Sequence, residues 1–238
     1  FEPEGSAFYK EKDEIAEDVR KSLFEFLEVI ATSSDELDSA AARLFSDHFD
    51  FFMEQHAMFV ARYNADEYRR SVVHNDLKGG NVWFDAESLI SGVIDFGQTQ
   101  SDVRIAEFNN MMLGRDSVSL ALNYDRNTLL NTIRAYNAMS DIALSDEEVR
   151  GVIEILRLRF LEEVINRFIR RHPTVKMNVF DVPTLLSAAE EGITSFQKFA
   201  ADFSSEASIS SFVDEVNASS ASGGDGRSRT METSERNP

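Results

Sequence analysis

The chain has 238 residues, long enough for one or two domains with a sizeable core, and its 42% hydrophobic and 11% aromatic content belongs to a globular protein. With no cysteine, disulfides, thiolate zinc sites and a thiol nucleophile are excluded; a reducing, cytoplasmic compartment fits that usage. The net charge of −18 argues against nucleic acid and anionic membrane surfaces as partners, and no apolar stretch approaches the length of a spanning helix.

The chain opens on Phe1 rather than methionine, in an acidic and polar segment without signal-peptide character, which reads as a fragment or processed form. From Asp13 to Ala31, Ile15, Val19, Leu23, Phe26, Leu27 and Ile30 recur at helical spacing. Ser33 and Glu36 make a capping-box pattern that opens a second helix running from Leu37 to about Tyr63. Its stripe is Leu37, Ala41, Leu44, Phe45, Phe52, Phe59 and Val60, with His48 and His56 on or near it. Those histidines read as packed or hydrogen-bonded side chains rather than metal ligands.

Ser71 to Phe108 has a different texture. Val72 and Val73, then Val82 to Phe84, then Leu89 to Phe96 are short β-rich runs bounded by Asp, Gly, Asn and Ser, which predicts strand–loop–strand–turn–strand. The first loop carries His74, Asp76, Lys78 and Asn81, and the third run ends in Asp95, Phe96 and Gly97. Two carboxylates and a carboxamide at strand ends suit phosphoryl transfer. That reaction needs a carboxylate to orient and deprotonate an attacking hydroxyl, and oxygen ligands for magnesium, which prefers one or two carboxylates while keeping waters.

Helices dominate the rest. Ile105 to Leu113 reads as helical, and Asp125 caps a helix through Met139 with Leu129, Ile133 and Tyr136 inward. Ser145 and Glu148 form a capping-box pattern before a long helix to about Arg171, with Val149, Val152, Ile153, Leu156, Phe160, Val164 and Phe168 as its buried stripe. Arg157, Arg159, Arg167, Arg170 and Arg171 make its later part basic, read as complementing the helix dipole. Asp181 before Pro183 starts a last helix to about Phe203, with Leu185, Leu186, Ala189, Ile193, Phe196 and Phe199 inward. From Ser204 the composition turns to Ser, Ala, Gly and Asp, so 204–238 is expected to be a disordered tail.

His74-x-Asp76-x-x-x-x-Asn81, with Asp95-Phe96-Gly97 beginning nineteen residues after Asp76, resembles the catalytic and metal-binding loops of the kinase-like superfamily. It looks most like the branch of aminoglycoside phosphotransferases, choline kinases and homoserine kinases. The resemblance covers about forty residues closely. It implies an α+β, mostly helical fold: the C-terminal lobe of a protein-kinase-like protein over residues 1–203, with a small β cluster carrying both loops.

The resemblance further implies ATP and Mg2+ as cofactors, Asp76 as catalytic base and Asn81 and Asp95 as metal ligands. His74 and Gly97 would support the loops. Lys78 either contacts the transferred phosphate, as in the protein kinases that Leu77-Lys78 resembles, or faces solvent. The acceptor would be a small-molecule hydroxyl of amino alcohol, homoserine or aminoglycoside type. A position near Glu107 is an aspartate opening a helix in such kinases, so the longer side chain puts that bracing role in question. About seventy residues precede His74 and read as helices, so an N-terminal lobe is expected to be missing and Lys10 reads as a surface lysine. Two other classes stay open: an inactive kinase-like fragment acting as a binding module, and a protein kinase, against which the lack of Ala-Pro-Glu after Asp95 weighs.

Overall fold

The computed structural model describes residues 12–32, 36–77, 79–87, 89–108, 114–115, 122–171 and 182–222. Helices α1 (Lys12–Ala31), α2 (Glu36–Asp47) and α3 (Phe49–Arg62) come first. Strands β1 (Arg70–Val73), β2 (Val82–Phe84), β3 (Ile90–Val93) and β4 (Gln100–Val103) follow, and then the short pair β5 (Gly114–Arg115) and β6 (Leu122–Asn123). Helices α4 (Arg126–Met139), α5 (Asp146–Arg171), α6 (Val182–Asp202) and α7 (Glu206–Ser222) complete the order. Among the described residues the protein is mostly helical with three small antiparallel ladders, pairing β1 with β4, β2 with β3 and β5 with β6. No described helix is long and apolar enough to cross a membrane.

The centre of the molecule is α5. Val149, Val152, Ile153, Leu156 and Phe160 are buried as their spacing predicts, but Ile155, Leu158 and Leu161 are buried as well. A helix apolar on all sides must be surrounded, and α1, α3, α6 and α7 all pack on α5. Aromatic rings fill the spaces: Phe160 stacks on Phe196 at 5.0 Å, and Phe203 meets Phe212 edge-on at 5.2 Å. Arg157, read as one of the cations complementing the helix dipole, is fully buried. Its guanidinium donates to Glu154 at 2.8 Å, to the Phe203 carbonyl at 3.2 Å and to Gln55 Oε1. A buried charge persists only when paired and hydrogen-bonded, and those three acceptors meet that requirement.

Two further expectations are corrected. The single helix from Leu37 to Tyr63 is two helices, broken at His48, whose ψ of 5° departs from helical geometry. There the His48 amide donates to Phe45 O at 3.3 Å, an i→i−3 bond that tightens the turn before α3 begins. The tail expected from Ser204 is ordered through α7, where Ile209, Phe212, Val213 and Val216 are buried. Those positions fall at i, i+3, i+4 and i+7, a helical stripe the serine content masked. The predicted caps at Asp125 and Ser145 are present, with Thr128 N donating to Asp125 Oδ1 at 2.7 Å and Ser145 N to Glu148 Oε2 at 2.9 Å.

Several sequence expectations lie outside the described residues: Lys10, Ser33, Lys78, Asp181 and residues 109–113 and 223–238. The same holds for the side chains of Ile15, Leu23, Phe26, Ile30, Leu37, Val164, Phe168 and Leu185.

Candidate functional site

Two ladders converge on the polar motif. In the first, Arg70 to Val73 pair with Val103 to Gln100, so the strand that delivers His74 lies beside the strand that follows the Asp95 turn. The second begins directly after Asn81 and pairs Val82 with Val93. The polar run Gln-Ser-Asp predicts no strand at 100–103; Asp102 is nonetheless fully buried in β4, with Val103 N donating to its Oδ1 at 2.7 Å.

Ile94, the residue before Asp95, joins the loops. Its amide donates to Asn81 O at 2.9 Å, and its carbonyl lies 2.8 Å from His74 Nε2. A carbonyl only accepts, so His74 carries its ring proton on Nε2 and presents the Nδ1 lone pair to the Asp76 amide at 3.3 Å. Both ring nitrogens are thereby spent on backbone, which suits a brace rather than a proton carrier.

Asn81 is buried, and its amide nitrogen donates to Asp76 O at 2.9 Å and to Asp76 Oδ2 at 3.1 Å. Both partners are acceptors, so the NH2 end must face them and the Oδ1 lone pairs face away. Asp95 is exposed and sits in the left-handed region at φ 64°, which an aspartate tolerates better than most side chains. Among the described residues no donor lies on its carboxylate. A Cβ added at Gly97 would stand 3.5 Å from Asp95 Oδ1, so glycine there leaves one side of that carboxylate open. Phe96 is 60% exposed, although its ring centroid lies 4.9 Å from that of His74.

Asp95 and Asn81 Oδ1 are donors of the type magnesium takes. One carboxylate and one amide oxygen are hard ligands, and magnesium completes its octahedron with waters and phosphate oxygens rather than a full protein cage. No group of three or more His, Asp or Glu stands together as a cage among the described residues, His48 and His56 included.

A further carboxylate, Glu107, meets the loop. Glu107 Oε2 accepts from the His74 amide at 3.1 Å and Oε1 accepts from the Asn75 amide at 2.8 Å. Asn75 is the other described residue besides glycine with positive φ, at 62°. That conformation costs of order 1–2 kcal/mol for an L-residue, less for Asn, and the clamp on its amide helps hold it. The longer side chain of glutamate therefore braces the loop. The signal was its place one turn past β4.

The arrangement is that of a mostly helical protein whose short antiparallel ladders present an Asp–Asn pair and a second, open Asp from neighbouring loops. The phosphotransferase enzyme family (APH) matches residues 11–143, over half of the chain, and the chain belongs to that family. Compared with curated proteins and with solved structures, it has no significant match.

Proposed function

We propose that the protein transfers the γ-phosphate of ATP, with magnesium, to the hydroxyl of a small molecule, and that the described helices and ladders form the C-terminal lobe of a kinase-like fold. The supporting observation is the Asn81–Asp76 contact, which orients a carboxylate for the acceptor while leaving the Asn81 side-chain Oδ1 without a donor among the described residues. Asp76 holds the acceptor hydroxyl and takes its proton as the hydroxyl oxygen bonds to the γ-phosphorus. The bond from that phosphorus to the bridging oxygen breaks, and ADP leaves with the electron pair. Asn81 Oδ1 and Asp95 would hold magnesium, which when bound neutralises charge on the phosphate oxygens. His74, Gly97 and Glu107 keep the two loops in place, and Lys78 would pair with ATP phosphates. Acceptors of amino alcohol, homoserine and aminoglycoside type all carry the required hydroxyl; the acidic balance of the chain favours a cationic one.

A second reading, a kinase-like binding module without turnover, is favoured by one observation. Val72, Trp83, Phe84, Leu89, Ile90 and Phe96 are all more than half exposed around the motif, an unusual density of apolar surface. Calorimetric titration with ATP separates the two. The transferase reading expects binding that tightens when magnesium is added and that loses this tightening in Asp95→Asn. Binding indifferent to magnesium, or none, would favour the module.

A further inference from the structure

Behind the loop clamp lies a second, buried assembly. Glu148 forms the capping box of α5: its Oε2 accepts from the Ser145 amide, and its own amide donates to Ser145 Oγ at 3.2 Å. A cap requires no more than that. Yet Glu148 Oε1 also accepts from the Arg69 amide at 3.1 Å and from Arg104 Nε at 2.7 Å, and Oε2 accepts from Arg104 Nη2. Arg104 in turn donates to Ile142 O at 2.7 Å and to Ala143 O at 2.8 Å, and its amide donates to Arg69 O at 2.8 Å. The planar guanidinium is thus fixed on every edge, and the Glu148 side chain is only 1% exposed.

Arg69 and Arg104 are not arbitrary partners. Arg69 immediately precedes β1, the strand that leads into His74. Arg104 opens the short 3-10 turn Arg104–Glu107, whose last residue clamps the His74 and Asn75 amides. Ile105 and Ala106, between Arg104 and Glu107, are fully buried. They lie against α5 so closely that a Cβ on Gly151 would come within 2.6 Å of Ile105 Cδ1 and of the Tyr68 ring. Glu148 and Gly151, one turn apart on α5, therefore press on the same short segment.

We propose that Glu148 and Arg104 are positioning residues for phosphoryl transfer. Their buried carboxylate–guanidinium pair sets the Arg104–Glu107 turn and the start of β1, and through these the His74–Asp76 loop. The proposal rests on the phosphotransferase reading for its kinetic consequence, but its structural consequence stands without it. The pair is also separable from helix capping. Glutamine serves in a capping box, so Glu148→Gln keeps the cap and loses the charged grip on Arg104. Ser145→Ala weakens the cap and leaves the Arg104 contacts in place.

The test compares these two variants with the unmodified protein by amide hydrogen exchange and, where an acceptor supports turnover, by steady-state kinetics. In Glu148→Gln the His74 and Asn75 amides are expected to exchange about tenfold faster, and kcat to fall about tenfold with KM for ATP within about twofold. Ser145→Ala is expected to leave both readouts near those of the unmodified protein even where its melting temperature falls. Should Glu148→Gln fail to fold, Arg104→Lys takes its place, since a lysine keeps the charge but cannot span Glu148 and both carbonyls. Equal changes in the two variants, or none in Glu148→Gln, would overturn the proposal. A protein inert toward every acceptor but showing the exchange contrast would count against the phosphotransferase reading and leave the positioning role intact.

Discussion

The side chain of Asn81 reaches back five residues to place its amide nitrogen on Asp76, 2.9 Å from the backbone oxygen and 3.1 Å from Oδ2. A donor shared between a carbonyl and a carboxylate fixes both the loop and the direction in which the carboxylate points. It also fixes which end of the carboxamide remains for another ligand.

Replacing Asn81 should therefore hurt twice. Asn81→Leu removes the N–H donors that hold Asp76 and the Oδ1 assigned to magnesium. The expected loss is roughly 1 to 3 kcal/mol in urea-unfolding stability, together with a loss of magnesium-dependent nucleotide binding. Unchanged stability would mean that the Asn81–Asp76 contact does not hold the loop.

Gly151 sets two effects of known size against each other. Alanine in a helix interior is favoured over glycine by about 1 kcal/mol. Here its Cβ would meet a buried tyrosine ring carbon at 2.6 Å, and overpacking of that kind costs roughly 1 to 3 kcal/mol. Gly151→Ala is expected to lower the melting temperature; a rise would show that the contact of α5 with Tyr68 and Ile105 yields easily.

Glu148 gives the protein an acid-sensitive joint. Burial by itself would raise its pKa, but the hydrogen bonds from Arg104 and from the Ser145 and Arg69 amides outweigh burial and hold it below its ordinary value. A depressed carboxyl stabilises the folded state above the unfolded value of about 4.3, and that contribution disappears as pH falls through the folded value. Urea midpoints should thus drop more steeply between about pH 5 and pH 3 in the unmodified protein than in Glu148→Gln, which is the less stable of the two at pH 7. Parallel pH curves would contradict the linkage.

Arg157 tests the polar core. Arg157→Met leaves buried Glu154, already without a hydrogen bond on Oε1, facing Arg62 Nη1 at 3.9 Å in place of its close partner, and should cost about 3 kcal/mol or more. Changing Glu154 to leucine as well removes that buried charge and should recover much of that loss. Calorimetric unfolding of the single and double variants measures the difference.

What the sequence revealed follows from how local each signal is. Caps at Asp125 and Ser145 and the strand runs at 72–73 and 82–84 depend on near neighbours, and the structure bears them out; of the run at 89–96 only Ile90–Val93 is strand, because the chain turns at Asp95 and Phe96 opens a 3-10 turn. The break at His48 carries no proline or glycine, and the apolar stripe runs through it, so nothing local marks it. Strand β4 is polar because Asp102 and Gln100 bond to one another at 3.2 Å, a pairing invisible to alternation of apolar and polar residues. Arg157 looks like a surface cation until Gln55 and Phe203 O, both distant in the chain, are brought to it. Glu107 belongs to the same class: its partners lie more than thirty residues earlier, and only the β1–β4 register carries it to them.

The central claim is most directly tested by magnesium-dependent ADP release, followed in the protein and in Asp76→Asn while amino alcohols, homoserine and aminoglycosides are offered in turn. The account predicts that at least one of these alcohols drives release in the unmodified protein, and that Asp76→Asn lowers the rate about a thousandfold with its circular dichroism unchanged. Undiminished, alcohol-driven release in Asp76→Asn would contradict it.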